Sequence, residues 1–332
     1  MRIMMHTAVV WERKDYQGLE NSKATTENVM KGIFWATMAS AMWGISGTVL
    51  QFISQSQDIP ASWFLSTRTM GTGIVLLVVS LVMYGKKTFA VFRSGREIMW
   101  LLTYAIFGLG ANLLTFYIAV QTGNAAAATI LQYLSPLFIV VGSLVFKHDR
   151  PLRSDLIAFV VAMVGVFLAI TRGHISQLAI PLNSLLWGIG SGITAACYVV
   201  LPRPLVKDEG HAPIVVLGWG MFLSGIVFNL YHPFFLNTPP ITGGLVASMS
   251  TVILVGTILP FSLVLYSTHF APSDVISIVD ATQPVMTFIL SIIFLSLKIT
   301  VAEVIGSVLV VVAIYLLQRG RRKIETPFDE VS

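Results

Sequence analysis

The sequence Gln132-Tyr133-Leu134-Ser135-Pro136 aligns with Asp280-Ala281-Thr282-Gln283-Pro284, which lies 148 residues later. The two pentapeptides share only their proline, but they belong to a gapless alignment of residues 103–171 with residues 251–319. Glycine, serine and carboxylate positions coincide elsewhere in the same alignment. The chain is therefore an internal duplication that carries a proline at the same place in each copy.

Apolar residues form ten runs of the length that crosses a bilayer, about 20 residues for a hydrocarbon core of about 30 Å. Of 332 residues, 55% are hydrophobic and 11% are charged, and the mean hydropathy is +0.80, far above that of a soluble domain. The sequence therefore predicts an all-α integral membrane protein. Its predicted spans 1 to 10 are Met30–Phe52, Trp63–Met83, Ile98–Val120, Ala125–Phe146, Ser154–Ile170, Leu182–Leu201, Pro213–Phe234, Leu245–Tyr266, Asp274–Leu295 and Val301–Leu317.

Each copy holds five predicted spans, an odd number, so the second copy must enter the membrane upside down relative to the first. Residues 30–171 are the first five-helix repeat and residues 172–318 the second, and the chain passes between them at Thr171–Pro181. Residues 1–29 precede the repeats as an arm, and residues 319–332 follow them as a tail. Two inverted repeats are the architecture of carriers that work by alternating access.

The positions of the basic residues predict the orientation. Eighteen of the 21 Lys and Arg residues lie before span 1, after spans 2, 4 and 6, or after span 10. Basic loops remain in the cytoplasm, so both termini are predicted to be cytoplasmic in a multi-pass protein of the cell membrane. This distribution explains the net charge of +5 without a nucleic-acid partner.

Two charged residues deep in predicted spans are candidates for substrate binding or coupling, because a charge in the apolar layer is costly. Asp280 lies about 10 Å into span 9. Hydrocarbon surroundings favour the protonated form of a carboxylic acid, so Asp280 is a candidate proton or cation site, and a structural hydrogen bond to a neighbouring helix is the alternative. Arg68 lies about 7 Å from the outer end of span 2. It could reach the headgroups or recognise an anion in a cavity.

Pro136 and Pro284 predict helix breaks near the middle of spans 4 and 9. Each proline frees the carbonyl group of the residue four positions earlier, which is Gln132 or Asp280. Such backbone is tolerated at membrane depth where it lines a cavity or is buried in protein, so the paired breaks indicate a midplane binding site between the halves; a kink that only shapes packing is the alternative. Polar and aromatic residues that could line this site, although each alone is more often a packing residue, are Trp43, Tyr104, Asn112, Gln132, Tyr133, Trp187, Tyr198, Trp219, Tyr266, Thr282 and Gln283.

Other features indicate structural roles. Asp155 and Glu303 coincide in the duplication near helix starts, where a carboxylate complements the helix dipole. Cys197 is the single cysteine, so neither a disulfide nor a thiolate metal site is expected. Stripes of small residues indicate close helix packing, within the chain or in a dimer, at Ala36, Ser40, Gly44 and Thr48 of span 1 and at Gly188, Gly192 and Ala196 of span 6.

No enzyme motif is found in the sequence. It contains no HExxH zinc motif, no Gly-x-Ser-x-Gly elbow and no phosphate-binding glycine-rich loop with its lysine. We therefore expect no enzymatic activity, no cofactor and no ATP-driven pumping. An intramembrane enzyme is the least supported class, because no nucleophile and base can be paired from Cys197 and the histidines.

Short motifs, taken in order along residues 30–319, resemble the drug/metabolite transporter superfamily and within it the EamA-type ten-helix transporters. They are Met42-Trp43-Gly44, Arg68, Gly108, Tyr117-Ile118-Ala119, Leu134-Ser135-Pro136-Leu137-Phe138, Ala196-Cys197-Tyr198, Gln283-Pro284-Val285-Met286 and Glu303-Val304-Ile305-Gly306. The resemblance implies secondary transport of small metabolites, often export of amino acids or related compounds. Lys147-His148-Asp149-Arg150 stands where the family often has Gly-Glu-Arg, and Gln283 stands where it often has Glu.

Three functions follow from these observations. The first is a carrier for a small polar or amphipathic solute, amino-acid-like or drug-like, with the bilayer and protons as further partners. The second is a sugar or nucleotide-sugar carrier of the same fold, which would be expected to place more basic residues than Arg68 in its cavity. The third is a membrane scaffold or sensor that transports nothing, for which substitution of Asp280 or Arg68 would have no functional consequence.

Overall fold

A computed structural model describes residues 26–147, 152–172, 178–271, 273–280, 283–295 and 300–325. All regular structure in these ranges is helical. Eight of the described helices are long and apolar enough to cross a membrane, and two shorter apolar helices, Gln283–Leu295 and Val301–Leu317, follow them. The predicted all-α membrane fold is confirmed. Outside the described residues lie most of the predicted arm, part of the connection at Thr171–Pro181, part of Lys147–Arg150, Thr282, and the tail beyond residue 325.

The first half consists of five helical rods, several of which contain π-helical segments. They are α1 (Thr26–Gln51, continued by the π-helical Phe52–Ser56), α2 (Ala61–Tyr84), α3 (Gly95–Thr103, the π-helical Tyr104–Gly110 and Ala111–Thr122), α4 (Ala125–Gln132, Ser135–Gly142 and the π-helical Ser143–Lys147) and α5 (Arg153–Thr171).

The second half repeats this order. Its rods are α6 (Leu182–Val200), α7 (Pro213–Tyr231), α8 (Gly243–Ile253, the π-helical Leu254–Ile258 and Leu259–Ser267), α9 (Ser273–Asp280 and Gln283–Leu295) and α10 (Val301–Glu325).

The halves exchange their first helices. α1 packs on α8 and α9 of the second half, and α6 packs on α3 and α4 of the first half. Two further pairs, α2 with α7 and α5 with α10, join equivalent helices of the two halves. The result is two related three-helix groups, α1–α8–α9 and α6–α3–α4, which face each other across the middle of the molecule.

The stripes of small residues explain why α1 and α6 come so close to their partners. A Cβ atom on Gly192 of α6 would lie 2.8 Å from the carbonyl oxygen of Leu131, and one on Gly44 of α1 would lie 3.1 Å from Cβ of Met286. Lipid tails give no hydrophobic drive for helix association, so tight contact of this kind provides it. Both stripes therefore pack within the chain.

α4 is interrupted just before a proline. It turns at Tyr133 and Leu134, and its second segment begins at Ser135 with Pro136 in the first turn. That is the position where the missing proline N–H has no helical partner to lose. In α9 the residues just before the corresponding Pro284 lie outside the described ranges, so the break predicted there stays a prediction. The two helices contact each other, and this brings the residues before the two prolines together.

Candidate functional site

The break in α4 is held by a network of polar side chains from three helices. The Gln132 amide donates from Nε2 to Asn112 Oδ1 at 3.0 Å and to Ser191 Oγ at 3.2 Å. Asn112 lies on α3, and Ser191 lies on α6 and is fully buried. Gln132 and Asn112, both predicted to line one site, are thus in direct contact, and their role in binding stays a prediction.

α9 presents a carboxylate, Asp280, at the position equivalent to Gln132. Ser40 on α1 donates from Oγ to Asp280 Oδ1 at 3.5 Å and to the Val279 carbonyl oxygen at the same distance. Both bonds are at the long limit for a hydroxyl donor. No Lys, Arg or His of the described residues forms an ion pair with Asp280 within 4.0 Å. Asp280 is therefore a half-buried acid whose negative charge is only weakly neutralised by the described residues around it.

These two arrangements are similar. Gln132 and Asp280 coincide in the duplication, and each meets a serine on the exchanged first helix of the other half, Ser191 for Gln132 and Ser40 for Asp280. The sequence placed Ser40 only in a packing stripe and did not single out Ser191. Ser191 directly precedes Gly192 of the second stripe, and this position was the signal that could have identified it.

Tyr133 connects the break in α4 directly to α9. Its hydroxyl group donates to the backbone carbonyl of Asp280 at 2.8 Å and to Gln283 Oε1 at 2.9 Å. The Asp280 carbonyl is the one that Pro284 deprives of its helical donor, so Tyr133 satisfies an acceptor that the proline leaves free. Because Tyr133 lies on α4 and its acceptors lie on α9, this contact also joins the two halves.

Aromatic rings from four helices form the aromatic bridge, which we define as Trp43, Tyr104, Tyr198 and Phe261. Phe261 on α8 packs edge-on against Trp43 at 5.4 Å and against Tyr198 at 6.4 Å between ring centroids, and Tyr198 stacks on Tyr104 at 6.0 Å. Sequence reasoning missed Phe261, since an isolated phenylalanine in an apolar span carries no distinguishing signal. The bridge connects α1–α8–α9 with α6–α3–α4.

Three other aromatic candidates lie elsewhere. Trp219 donates to the Thr88 carbonyl oxygen at 2.8 Å beside the loop after α2, Tyr266 packs on Trp35, and Trp187 packs at the edge of the core around Phe64 and Tyr117. They act in packing.

Arg68 lies on α2 and is buried, with 9% of its surface exposed, so it does not extend to the headgroups. Its Nη2 donates to Thr257 Oγ1 on α8 at 3.4 Å, and its Nε is buried without a partner among the described residues. The guanidinium carbon lies 5.9 Å from the centroid of the Phe64 ring. No described carboxylate lies within ion-pair distance of Arg68.

Two regions of the sequence match the EamA-like transporter family, residues 30–171 and residues 182–319. The chain belongs to this family. The resemblance derived from the motifs is thereby confirmed, and this EamA-like protein is a member of a family of multi-pass membrane transporters.

Two of the three relatives reported for this EamA-like chain are named as a transporter or an exporter. It is 28% identical over 293 residues to the "Uncharacterized inner membrane transporter YicL" of Salmonella typhimurium, across 88% of this chain and 97% of that one. It is 23% identical to "Protein PecM" of Dickeya dadantii, across 89% and 96% of the two chains. It is also 24% identical to the "Threonine/homoserine exporter RhtA" of Salmonella typhimurium, across 64% and 68%.

A solved crystal structure of a protein with 16% identity shares the fold, with a TM-score of 0.57 over 91% of this chain and 99% of the other.

Two carboxylates of this EamA-like chain serve the helix ends, in agreement with their predicted structural role. Asp155 accepts the Leu152 backbone N–H at 3.1 Å. Glu303 accepts the Thr300 backbone N–H at 2.7 Å and the Arg172 Nε–H at 2.9 Å. The second contact joins the end of α5 to the start of α10.

Proposed function

We propose that this EamA-like protein is a secondary active transporter that exports a small polar or amphipathic metabolite by alternating access, with Asp280 as its proton- or cation-coupling residue. The proposed repeats are residues 30–171 and 172–318, inverted with respect to each other, and both termini are proposed to lie in the cytoplasm. The cargo and protons are the proposed small-molecule partners.

The observation that carries this proposal is the pair of polar residues that lie four positions before the two prolines, at the contact between the two halves. One is a neutral amide at Gln132 and the other a carboxylate at Asp280, each beside a serine from the opposite half. An ionisable group at membrane depth marks an ion or substrate path by default. A carboxylate without a basic partner can accept a proton or a cation at little cost in lost interactions.

Alternating access is supported by the position of the hydrogen bonds that join α1 to the α6–α3–α4 group. At the end of α1, Gln51 Oε1 accepts the Ala125 N–H at 2.8 Å, and Gln55 donates to the Gly123 carbonyl oxygen at 2.7 Å. These bonds join α1–α8–α9 to the connection between α3 and α4, on the face predicted to be external. In the proposed cycle they open when the protein opens on that side.

On the opposite face, His211 Nε2 lies 2.7 Å from Glu97 Oε2. This pair joins the start of α3 to the connection between α6 and α7, so it lies within the α6–α3–α4 side of the protein. A group held together in this way can move as one body against α1–α8–α9 in the proposed cycle.

Two names among the relatives support the class of cargo and the direction. RhtA is named as an exporter of threonine and homoserine, and YicL is named as an inner membrane transporter. An amino-acid-like or amphipathic solute also suits a site that combines amide, carboxylate, hydroxyl and aromatic groups, because small-molecule sites use a few polar groups on an apolar wall.

The test compares metabolites in the medium and the cytoplasm of cells that express wild type, Asp280→Asn, Asp155→Asn or no protein, at matched membrane abundance. Asp155→Asn is the matched control, because it removes the same charge from a helix start outside the site. We expect wild type and Asp155→Asn to redistribute a solute and Asp280→Asn to fail. Redistribution by Asp280→Asn at the wild-type rate would contradict the coupling role, and no redistribution by wild type would contradict transport itself.

A further inference from the structure

We propose that Arg68 is the anion-binding residue of the transport site and that it selects a monocarboxylate whose apolar part lies along the aromatic bridge. The inference rests on the proposed transport function and deepens it by naming the substrate class. Neither the family nor its named relatives assigns a ligand to this residue.

The first support is the unused hydrogen-bonding capacity of a buried guanidinium. Arg68 has five N–H donors, and its one described hydrogen bond, to Thr257, is long at 3.4 Å. Its Nε is buried, and no group in the part of the chain that the structure describes accepts from it. A buried charge without a counter-charge is strongly unfavourable, and buried unsatisfied groups in proteins call for an explanation such as a bound ion or ligand.

The second support is position. Thr257, the partner of Arg68, and Phe261, the centre of the aromatic bridge, are four residues apart on α8 and therefore lie on the same face, about 6 Å apart along the helix. Phe261 contacts Trp43 and Tyr198. A solute whose carboxylate is at Arg68 can therefore extend its apolar part along these rings.

The third support is the distance between Arg68 and the acid. Asp280 meets α1 at Ser40, whereas Gly256, the neighbour of Thr257, meets α1 at Ser46. Ser40 and Ser46 are six residues apart, so the two contacts lie about 9 Å apart along α1. Asp280 therefore does not neutralise Arg68, and the two charges can bind different groups, the cargo anion at Arg68 and the coupling cation at Asp280.

The charge count favours a carboxylate over a phosphate. Arg68 contributes a single positive charge, and no second described Lys or Arg lies within a span near it. A monoanion would be neutralised there, whereas a phosphate dianion would keep excess negative charge in the apolar layer. The planar fork of the guanidinium also matches the two oxygens of a carboxylate.

The test is a binding titration on purified full-length protein in nanodiscs. The probes are 3-phenylpropanoate and hexanoate, the neutral amide of each, and phenyl phosphate as a dianion. The variants are Arg68→Gln, Arg68→Lys and Arg172→Gln. The last is the control, because it removes an arginine that already has a partner at the end of α5.

We expect wild type and Arg172→Gln to bind at least one of the carboxylates about tenfold or more tightly than its amide, which is the usual effect of a charge-assisted hydrogen bond. Arg68→Gln should abolish this preference, and Arg68→Lys should retain part of it because it keeps the charge but loses the fork. Equal affinity of wild type for acid and amide would overturn the inference without any variant having to fold.

Other outcomes would also overturn it. They are failure of wild type to bind either carboxylate, tighter binding of phenyl phosphate, and an acid preference that persists in Arg68→Gln. Each of these outcomes leaves the proposed transport function intact if wild type redistributes a solute in the metabolite comparison. Failure of that comparison in wild type, by contrast, would remove the transport function on which the inference rests.

Discussion

Replacing Tyr133 with phenylalanine tests whether the contact between the break in α4 and α9 stabilises the protein. The substitution keeps the ring and removes the hydroxyl group that donates to the Asp280 carbonyl at 2.8 Å and to Gln283 Oε1 at 2.9 Å. One hydroxyl has one proton, so the loss corresponds to one hydrogen bond shared between two acceptors. A buried acceptor left unpaired costs about 1–3 kcal/mol, and the Asp280 carbonyl has already lost its helical donor to Pro284.

The assay is thermal unfolding of purified protein, followed by tryptophan fluorescence in one fixed detergent. A loss of about 1–3 kcal/mol should lower the Tm by about 2–6 °C in a chain of this size. Tyr266→Phe is the matched control, because the Tyr266 hydroxyl has no hydrogen bond within the described part of the chain, and we expect it to change Tm by less than about 1 °C. An unchanged Tm in Tyr133→Phe, or an equal drop in both variants, would refute the stabilising role of the contact.

Two further predictions concern the contact between α5 and α10. A Cβ atom on Gly165 would lie 2.7 Å from the Gly306 carbonyl oxygen, which is backbone and cannot move aside, so Gly165→Ala should destabilise the protein by about 1–3 kcal/mol. The control is Gly142→Ala, where a Cβ meets nothing within 4 Å, and it should be neutral or slightly stabilising. Equal Tm values for the two variants would contradict this packing. At the outer end of this contact, Glu303→Ala should lower the free energy of unfolding by about 1–2 kcal/mol, because it removes a helix-start acceptor as well as an ion pair. Arg172→Gln should cost at most about 1 kcal/mol, because that side chain is 35% exposed. A larger loss in Arg172→Gln than in Glu303→Ala, measured by the same unfolding assay, would contradict this ranking.

The fold could be predicted from the sequence because its causes are local and repeated. Apolar run length determines a spanning helix, and an odd number of spans per copy requires inversion. A proline in the middle of a run favours a break, and the structure has a turn directly before Pro136. The exchange of α1 and α6 between the halves could not be predicted, because it depends on which grooves accept the glycine stripes in three dimensions.

The site was predictable only where a residue is costly by itself. Asp280 and Arg68 are identifiable because any charge at membrane depth needs an explanation. Ser191, Thr257 and Phe261 carry no such cost, and only the packing of different helices shows that they contact Gln132, Arg68 and the other aromatic rings. Sequence reasoning therefore finds the residues that need partners more readily than the partners.

The duplication explains why the proposed coupling belongs to one half of the protein. Gln132 and Asp280 occupy equivalent positions before the two prolines, and each contacts a serine of the other half. They differ in chemistry, because an amide stays neutral whereas a carboxyl group can gain or lose a proton. Tyr133 adds a second difference, since its equivalent in the other copy is Ala281, so one hydroxyl group connects the halves at a site that symmetry would have duplicated. In the proposed cycle, a change of charge at Asp280 therefore acts directly beside the two hydrogen bonds from Tyr133 to α9, and the first half supplies the fixed network against which that change is made.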